Sequence, residues 1–368
     1  MPTSSPAPSP QRLIVKIGSA LLVDPSGGVR REWLAGIAAD IAARVAQGQQ
    51  VAVVSSGAIA LGARRLGLPK GGRASLEDAQ AAAATGQIAL SQVWAEVLGA
   101  HGLTAAQMLL TLDDLEDRRR YLNAAATLDR LLSLGVVPVI NENDSVATAE
   151  IRFGDNDRLA ARVGQAAGAD QVVLLSDVEG LYDADPNTHP AARLIERVET
   201  IDATILSFAG AGSGSGMGSG GMRSKLQAAQ IATAAGIALV IASGKRDNPL
   251  RDPGGTLFLP QRGASPRKAW LAGRLTVRGK VAIDAGALKA LRAGSSLLAA
   301  GATSVEGRFA RGDVVDIVSS DRPVARGLSE YDSDDAARIL GTKTDAQAEI
   351  LGYAPRSALV HRNYLVLL

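Results

Sequence analysis

The chain has 368 residues, which allows one to three domains. Hydrophobic residues make up 46% and charged residues 21%, the balance of an ordinary globular protein, while a net charge of +2 announces no nucleic-acid or membrane partner. There is no cysteine, which excludes a disulfide framework, a thiolate metal site and a cysteine nucleophile. The three histidines, His101, His189 and His361, have no metal-ligand spacing, and no residue is assigned as a metal ligand.

Residues 1–10 (MPTSSPAPSP) are Pro/Ser-rich, read as a disordered tail, and lack the basic start and apolar run of a signal peptide. No uninterrupted apolar run reaches the roughly 18 residues that a membrane span needs, so a cytoplasmic protein is expected.

From residue 13 short apolar runs alternate with helix-like segments. Residues 13–17 (LIVKI), 51–54 (VAVV), 104–110, 136–140 (VVPVI), 171–175 (QVVLL) and 238–242 (ALVIA) read as strands. Pro138 points to an edge or irregular position for its strand. Helical spacing covers residues 33–46, a segment beginning near Ile59, and residues 121–132, 159–167 and 225–235. Continuous apolar strands between helices imply an α/β domain around a mainly parallel sheet, over residues 11–262. After a linker at 263–277, short segments between glycines suggest a β-rich, barrel-like domain over 278–357. A tail is expected at 358–368.

In open α/β sheets ligands bind beyond the carboxyl ends of the strands. Four such ends carry notable chemistry. The first is Lys16-Ile17-Gly18-Ser19, where a lysine near a buried strand end suits a phosphate-holding cleft or an edge strand's surface. The second is Ser55-Ser56-Gly57, whose position before a helix suits an anion or an ordinary helix cap. The third comprises Asn141-Glu142-Asn143-Asp144 and then Gly154-Asp155-Asn156-Asp157. So many amides and carboxylates after a buried strand are costly without bound partners. Asp144 suits a substrate ammonium, Asn141 and Asn156 offer donors and acceptors, and Asp157 suits a cation or metal. The fourth is the glycine-rich run 210–222, followed by Arg223-Ser224-Lys225 and a helix. Residues 216–221 match G-x-G-x-x-G, but lie too late in the chain for a dinucleotide fingerprint, and Leu226 after Lys225 breaks the P-loop pattern. A glycine-rich flap leading to a helix N-terminus with a lysine still suits a nucleotide triphosphate. Ser176-Asp177 borders the same pocket or forms a plain turn.

These pieces, in this order, resemble the glutamate 5-kinase group of the amino acid kinase family. The resemblance runs through VVSSGAIALG (53–62), AQMLLT (106–111), VPVINENDSVATAEI (137–151), FGDNDRLAA (153–161), LYDADP (181–186) and GSGGMRSKLQAA (218–229). It implies a three-layer sandwich and transfer of phosphate from ATP, with Mg²⁺, to the γ-carboxylate of L-glutamate, the first step of proline synthesis. It also implies feedback inhibition by proline and a homo-oligomer, dimer or tetramer. Carried over by position, Lys16 and Lys225 would stabilise the transferring phosphoryl group and Asp157 would organise them. Ser56, Gly57, Asn141, Asp144 and Asn156 would bind glutamate. Lys16, Ser176, Asp177, Ser219, Gly220, Gly221, Met222, Arg223, Ser224 and Lys225 would line the ATP site. Ser176 stands where threonine is common and Arg223 where a small polar residue is common. The C-terminal region looks like a PUA domain, a fold known from RNA-modifying enzymes. Residues 278–357 hold eleven basic and eleven acidic side chains, so charge does not favour RNA. Alternative readings are a related kinase acting on aspartate, acetylglutamate or carbamate, and an RNA-binding or regulatory protein.

Overall fold

The computed structural model describes residues 11–24, 28–146, 156–186, 188–209, 221–261 and 277–368. The expected tail at 1–10, most of the linker at 263–277 and the core of the glycine-rich run lie outside them. The chain divides into two compact units between Gln261 and Arg262.

The first unit is built on an eight-stranded sheet in the order β3-β4-β2-β1-β5-β7-β8-β6. Strands β1 (Arg12–Ile17), β2 (Gln50–Ser55), β3 (Ala105–Leu110), β4 (Val137–Glu142), β5 (Gln171–Ser176) and β7 (Ala238–Ser243) all run parallel. Strand β8 (Thr256–Phe258) turns back against β7, and β6 (Arg197–Val198) runs beside it in the same direction as β8. Six parallel strands place their carboxyl ends along one rim, which is where the site is assembled.

Alternation along each strand sorts the side chains onto two faces. Leu13, Val15 and Ile17 join Val51, Val53, Val139 and Val173 in a core closed by helices α2 (Arg31–Ala46) and α4 (Leu76–Gly99), through Leu34, Ile37, Leu90 and Trp94. The opposite face, with Ile14 and Val172, packs against α7 (Asn156–Ala167), where Gly164 lets the helix come close. Helices α6 (Arg118–Ser133) and α9 (Met222–Ala234) flank α7 on that face. Lys16 shares the parity of Ile14, so it projects towards α7 and α9.

Between β2 and α4 lies α3 (Ala58–Leu66). A Cβ on Gly62 would lie 1.8 Å from Ala82 O, and one on Gly86 would lie 1.8 Å from Ala58 O. The two helices therefore touch backbone to backbone at a contact that only glycine admits on either side.

Pro138 does not mark an edge, because β4 has β3 on one side and β2 on the other. Pairing with β2 begins at Val139, so the residue without an N–H lies just before that ladder starts.

The second unit holds a five-stranded sheet in the order β10-β9-β11-β12-β13. Its strands are β9 (Gly279–Ile283), β10 (Ala302–Gly307), β11 (Val314–Ser319), β12 (Arg322–Ser329) and β13 (Val360–Leu367). The pairings are antiparallel except β9 with β11. Helices Ala285–Arg292 and Ser333–Arg338 are started by Asp284 and Asp332, whose carboxylates accept from the N–H groups of Ala287 and Asp335, and Thr344–Leu351 forms a third. The segment 358–368 is not a tail. It forms β13, with Val360 and Leu365 in the core of this unit.

Candidate active site

The centre of the site is a buried carboxylate held between two ammonium groups. Lys16 comes from β1, and Asp157 and Lys225 from the first turns of α7 and α9. Lys16 Nζ lies 2.6 Å from Asp157 Oδ1, and Lys225 Nζ donates to Asp157 Oδ2 at 2.9 Å. The side chain of Asp157 is 1% exposed and those of the lysines 9% and 7%. Burial pushes the Asp157 carboxyl up, but the two lysines outweigh it and hold the group below its ordinary range. The helix N-terminus adds favourable partial positive charge beside this carboxylate. Two cations and one anion leave a net positive charge facing the rim of the sheet, suited to a polyanion.

Next to this triad lies a chain of side-chain amides. Gln87 on α4 accepts from Asn141 Nδ2 at 2.9 Å. Asn141 Oδ1 accepts from Asn156 Nδ2 at 3.1 Å, and Asn156 Nδ2 also donates to Ser56 Oγ at 2.8 Å. Asn141 and Asn156 are both buried. Ser55, at the end of β2, is held by Trp94 Nε1 at 2.9 Å. Gly57 then takes φ 114°, a left-handed turn into α3 that a side chain would strain, and a Cβ there would stand 3.1 Å from Leu22.

Asp144 follows β4 and is 5% exposed. Burial raises its carboxyl to about 6, with the charge of Arg73 opposing the rise. Among the described residues, Asp144 Oδ1 and Asn156 Oδ1 are buried without a hydrogen-bond partner. Two such acceptors are costly unless a donor or cation reaches them. A cavity of about 210 Å³ is lined by Asn141, Asp144, Gln87, Ile88 and Gln107, among others.

On the other side of β1, Ser176 ends β5, is buried, and its hydroxyl donates to Asp177 Oδ1 at 3.1 Å. Gly221 precedes α9, with Met222, Arg223 and Ser224 in its first turn. Ser219 and Gly220 lie outside the described residues, as do Gly154 and Asp155.

The structure thus brings Lys16, Asp157 and Lys225 into contact, and joins Ser56, Asn141 and Asn156 by hydrogen bonds. Sequence reading missed Gln87, which is 9% exposed in a helix of mostly small and apolar residues. A polar residue on the buried side of such a helix was the available signal.

The family model for the amino acid kinase family matches residues 11–243, and that for the PUA domain matches residues 279–351. The chain belongs to the amino acid kinase family. Curated relatives include the glutamate 5-kinase of Sphingopyxis alaskensis, 73% identical over 99% of both chains. That of Zymomonas mobilis is 63% identical over 97% of this chain and 91% of its own, and that of Novosphingobium aromaticivorans is 62% identical over 97% and 96%. As a kinase of this family with a C-terminal PUA domain, the chain spans these relatives almost end to end. Among the described residues no helix is long and apolar enough to cross a membrane.

Proposed function

We propose that this kinase transfers the γ-phosphoryl group of ATP to the γ-carboxylate of L-glutamate, forming γ-glutamyl phosphate for proline synthesis. The observation that carries this reading is the buried Lys16–Asp157–Lys225 triad beside the two unpartnered acceptors, Asp144 Oδ1 and Asn156 Oδ1. The 73% identity to a glutamate 5-kinase supports the same substrate.

The acceptor carboxylate has a reference pKa of about 4.3 and is already a nucleophile at neutral pH. No base has to remove a proton. The barrier is the approach of an anion to a polyanion, so positioning and charge neutralisation carry the catalysis. Lys16 and Lys225 meet the charge on the transferring group, and Asp157 holds both ammonium groups in place. Asp144 and Asn156 take the α-ammonium of glutamate, while Ser56 and Gly57 at the start of α3 face its carboxylate. Ser176, Asp177 and the first turn of α9 from Gly221 to Lys225 border the ATP.

Among the described residues no cluster of three carboxylates or histidines is placed to hold a metal. Mg²⁺ would enter on the triphosphate, its usual mode of binding in kinases. When bound there, Mg²⁺ supplies further neutralisation of the phosphate oxygens.

Inhibition by proline, a dimeric or tetrameric assembly and a cytoplasmic location, where ATP is made available, complete the proposal, supported by the likeness to the same group of enzymes. The test is ADP release with glutamate, aspartate and acetylglutamate, each with and without proline. Turnover confined to glutamate and lowered by proline is expected. Equal turnover of aspartate or acetylglutamate would overturn the substrate assignment.

A further inference from the structure

The amide chain at the site has a direction, and that direction decides which atom Asn156 offers to a ligand. In the arrangement observed, each amide donates through nitrogen towards α4 or Ser56 and accepts through oxygen. Gln87 Nε2 donates to Ser91 Oγ at 3.2 Å, Gln87 Oε1 accepts from Asn141, and Asn141 Oδ1 accepts from Asn156. Both N–H groups of Asn156 are then used, on Asn141 and Ser56, and Asn156 Oδ1 is left as the buried atom without a partner among the described residues. Reversing the chain would reverse this outcome. Asn156 would then present an N–H, which suits a carboxylate and repels an ammonium.

One end of the chain is biased against reversal. Ser91 Oγ lies 2.8 Å from the backbone carbonyl of Gln87, a group that only accepts. The serine's single proton is committed to a carbonyl, either this one or Oε1 of Gln107, which also contacts Ser91. With its proton on the backbone carbonyl, Ser91 accepts from Gln87 Nε2, and this favours the orientation in which Gln87 turns its oxygen to Asn141. We propose that Gln87 is a positioning residue. It sets the polarity of the Gln87–Asn141–Asn156 relay so that the site presents an amide oxygen, together with the buried Asp144, to the amino group of the substrate. This rests on the reading of the site as one for an amino acid.

The test compares glutamate with glutarate, which has both carboxylates but no amino group. Gln87→Met keeps length and burial but removes the acceptor, and Gln87→Glu keeps an acceptor facing Asn141. For Gln87→Met we expect the ratio of kcat/KM for glutamate over glutarate to fall about tenfold, with KM for ATP within about twofold of wild type. Gln87→Glu should restore most of the ratio. Should Gln87→Met fail to fold, Ser91→Ala removes the anchor and should lower the same ratio about threefold. A wild-type protein without glutamate-dependent ADP release would overturn the proposed function and this inference with it. A wild type that turns over glutamate, with Gln87→Met or Ser91→Ala keeping the full preference over glutarate, would overturn the inference alone. Equal losses for glutamate and glutarate would assign Gln87 to packing.

Discussion

Lys225 and Asp157, 68 residues apart in the chain, meet at 2.9 Å in the protein interior, and Lys16 occupies the other carboxylate oxygen. Losing one such electrostatic donor costs about 3–4 kcal/mol of transition-state stabilisation. Lys16→Ala and Lys225→Ala should each lower kcat by roughly 100- to 1,000-fold. A variant that kept near-normal kcat in steady-state assays would remove that lysine from the mechanism.

Asp157→Asn tests the same triad from its centre. Breaking a buried ion pair from one side costs about 3–5 kcal/mol, since the surviving charges stay buried. A lower Tm is expected together with lost activity. The depressed Asp157 carboxyl contributes stability that is complete above its ordinary value of 3.8 and is lost as pH falls through the lower folded value. Acid unfolding followed by circular dichroism should therefore be shallower in Asp157→Asn than in the wild type.

Asp144 carries the opposite shift. With its carboxyl raised to about 6, the native protein holds this proton more tightly than the unfolded chain does. Stability at this position falls as pH rises from 3.8 through about 6, and Asp144→Asn should recover part of it at neutral pH. Binding goes the other way. Only the ionised form attracts an ammonium strongly, so KM for glutamate should fall between pH 5 and 7, with a midpoint near 6. Asp144→Asn should flatten that profile. A rise in KM for ATP instead would remove Asp144 from the glutamate site.

The contact between α3 and α4 gives a prediction about stability. Gly62→Ala would drive a methyl into Ala82 O and should cost about 3 kcal/mol or more. Gly99→Ala, at the end of α4, meets nothing within 4 Å and should be neutral or slightly stabilising. Thermal unfolding of the two variants separates a packing requirement at the α3–α4 contact from a general intolerance of alanine in this helix pair.

Deleting residues 360–368 should unfold the second unit. It removes β13 and three buried residues, Val360, Tyr364 and Leu365. Limited proteolysis, with cleavage appearing within 277–359, would report the loss.

The parallel strands were legible because each is a short, continuous apolar run. The order of motifs along the chain marked Lys16, Asp157 and Lys225 as parts of one cleft, although no local pattern says that they touch. Their contact depends on strand parity and on two helix starts meeting at one rim. Other features left weaker traces. Helix α4 is so rich in alanine that its apolar positions run round much of its surface, and no single stripe announces it. In β13 the polar run His361-Arg362-Asn363 interrupts the apolar pattern, which made a tail the natural reading. Pro138 suggested an edge because a missing N–H is tolerated there, and the start of a ladder satisfies the same condition.

Gly86 and Gln87 are neighbours on α4, one at the closest helix contact and the other at the head of the amide relay. The helix pair works as a ruler. Backbone contact at Gly62 and Gly86 sets how far α4 may slide along α3, and each residue of slip would move Gln87 by about 1.5 Å. That is enough to part it from Asn141. Variation that loosens this seam would first be felt as weakened recognition of the amino acid, well before the protein unfolds.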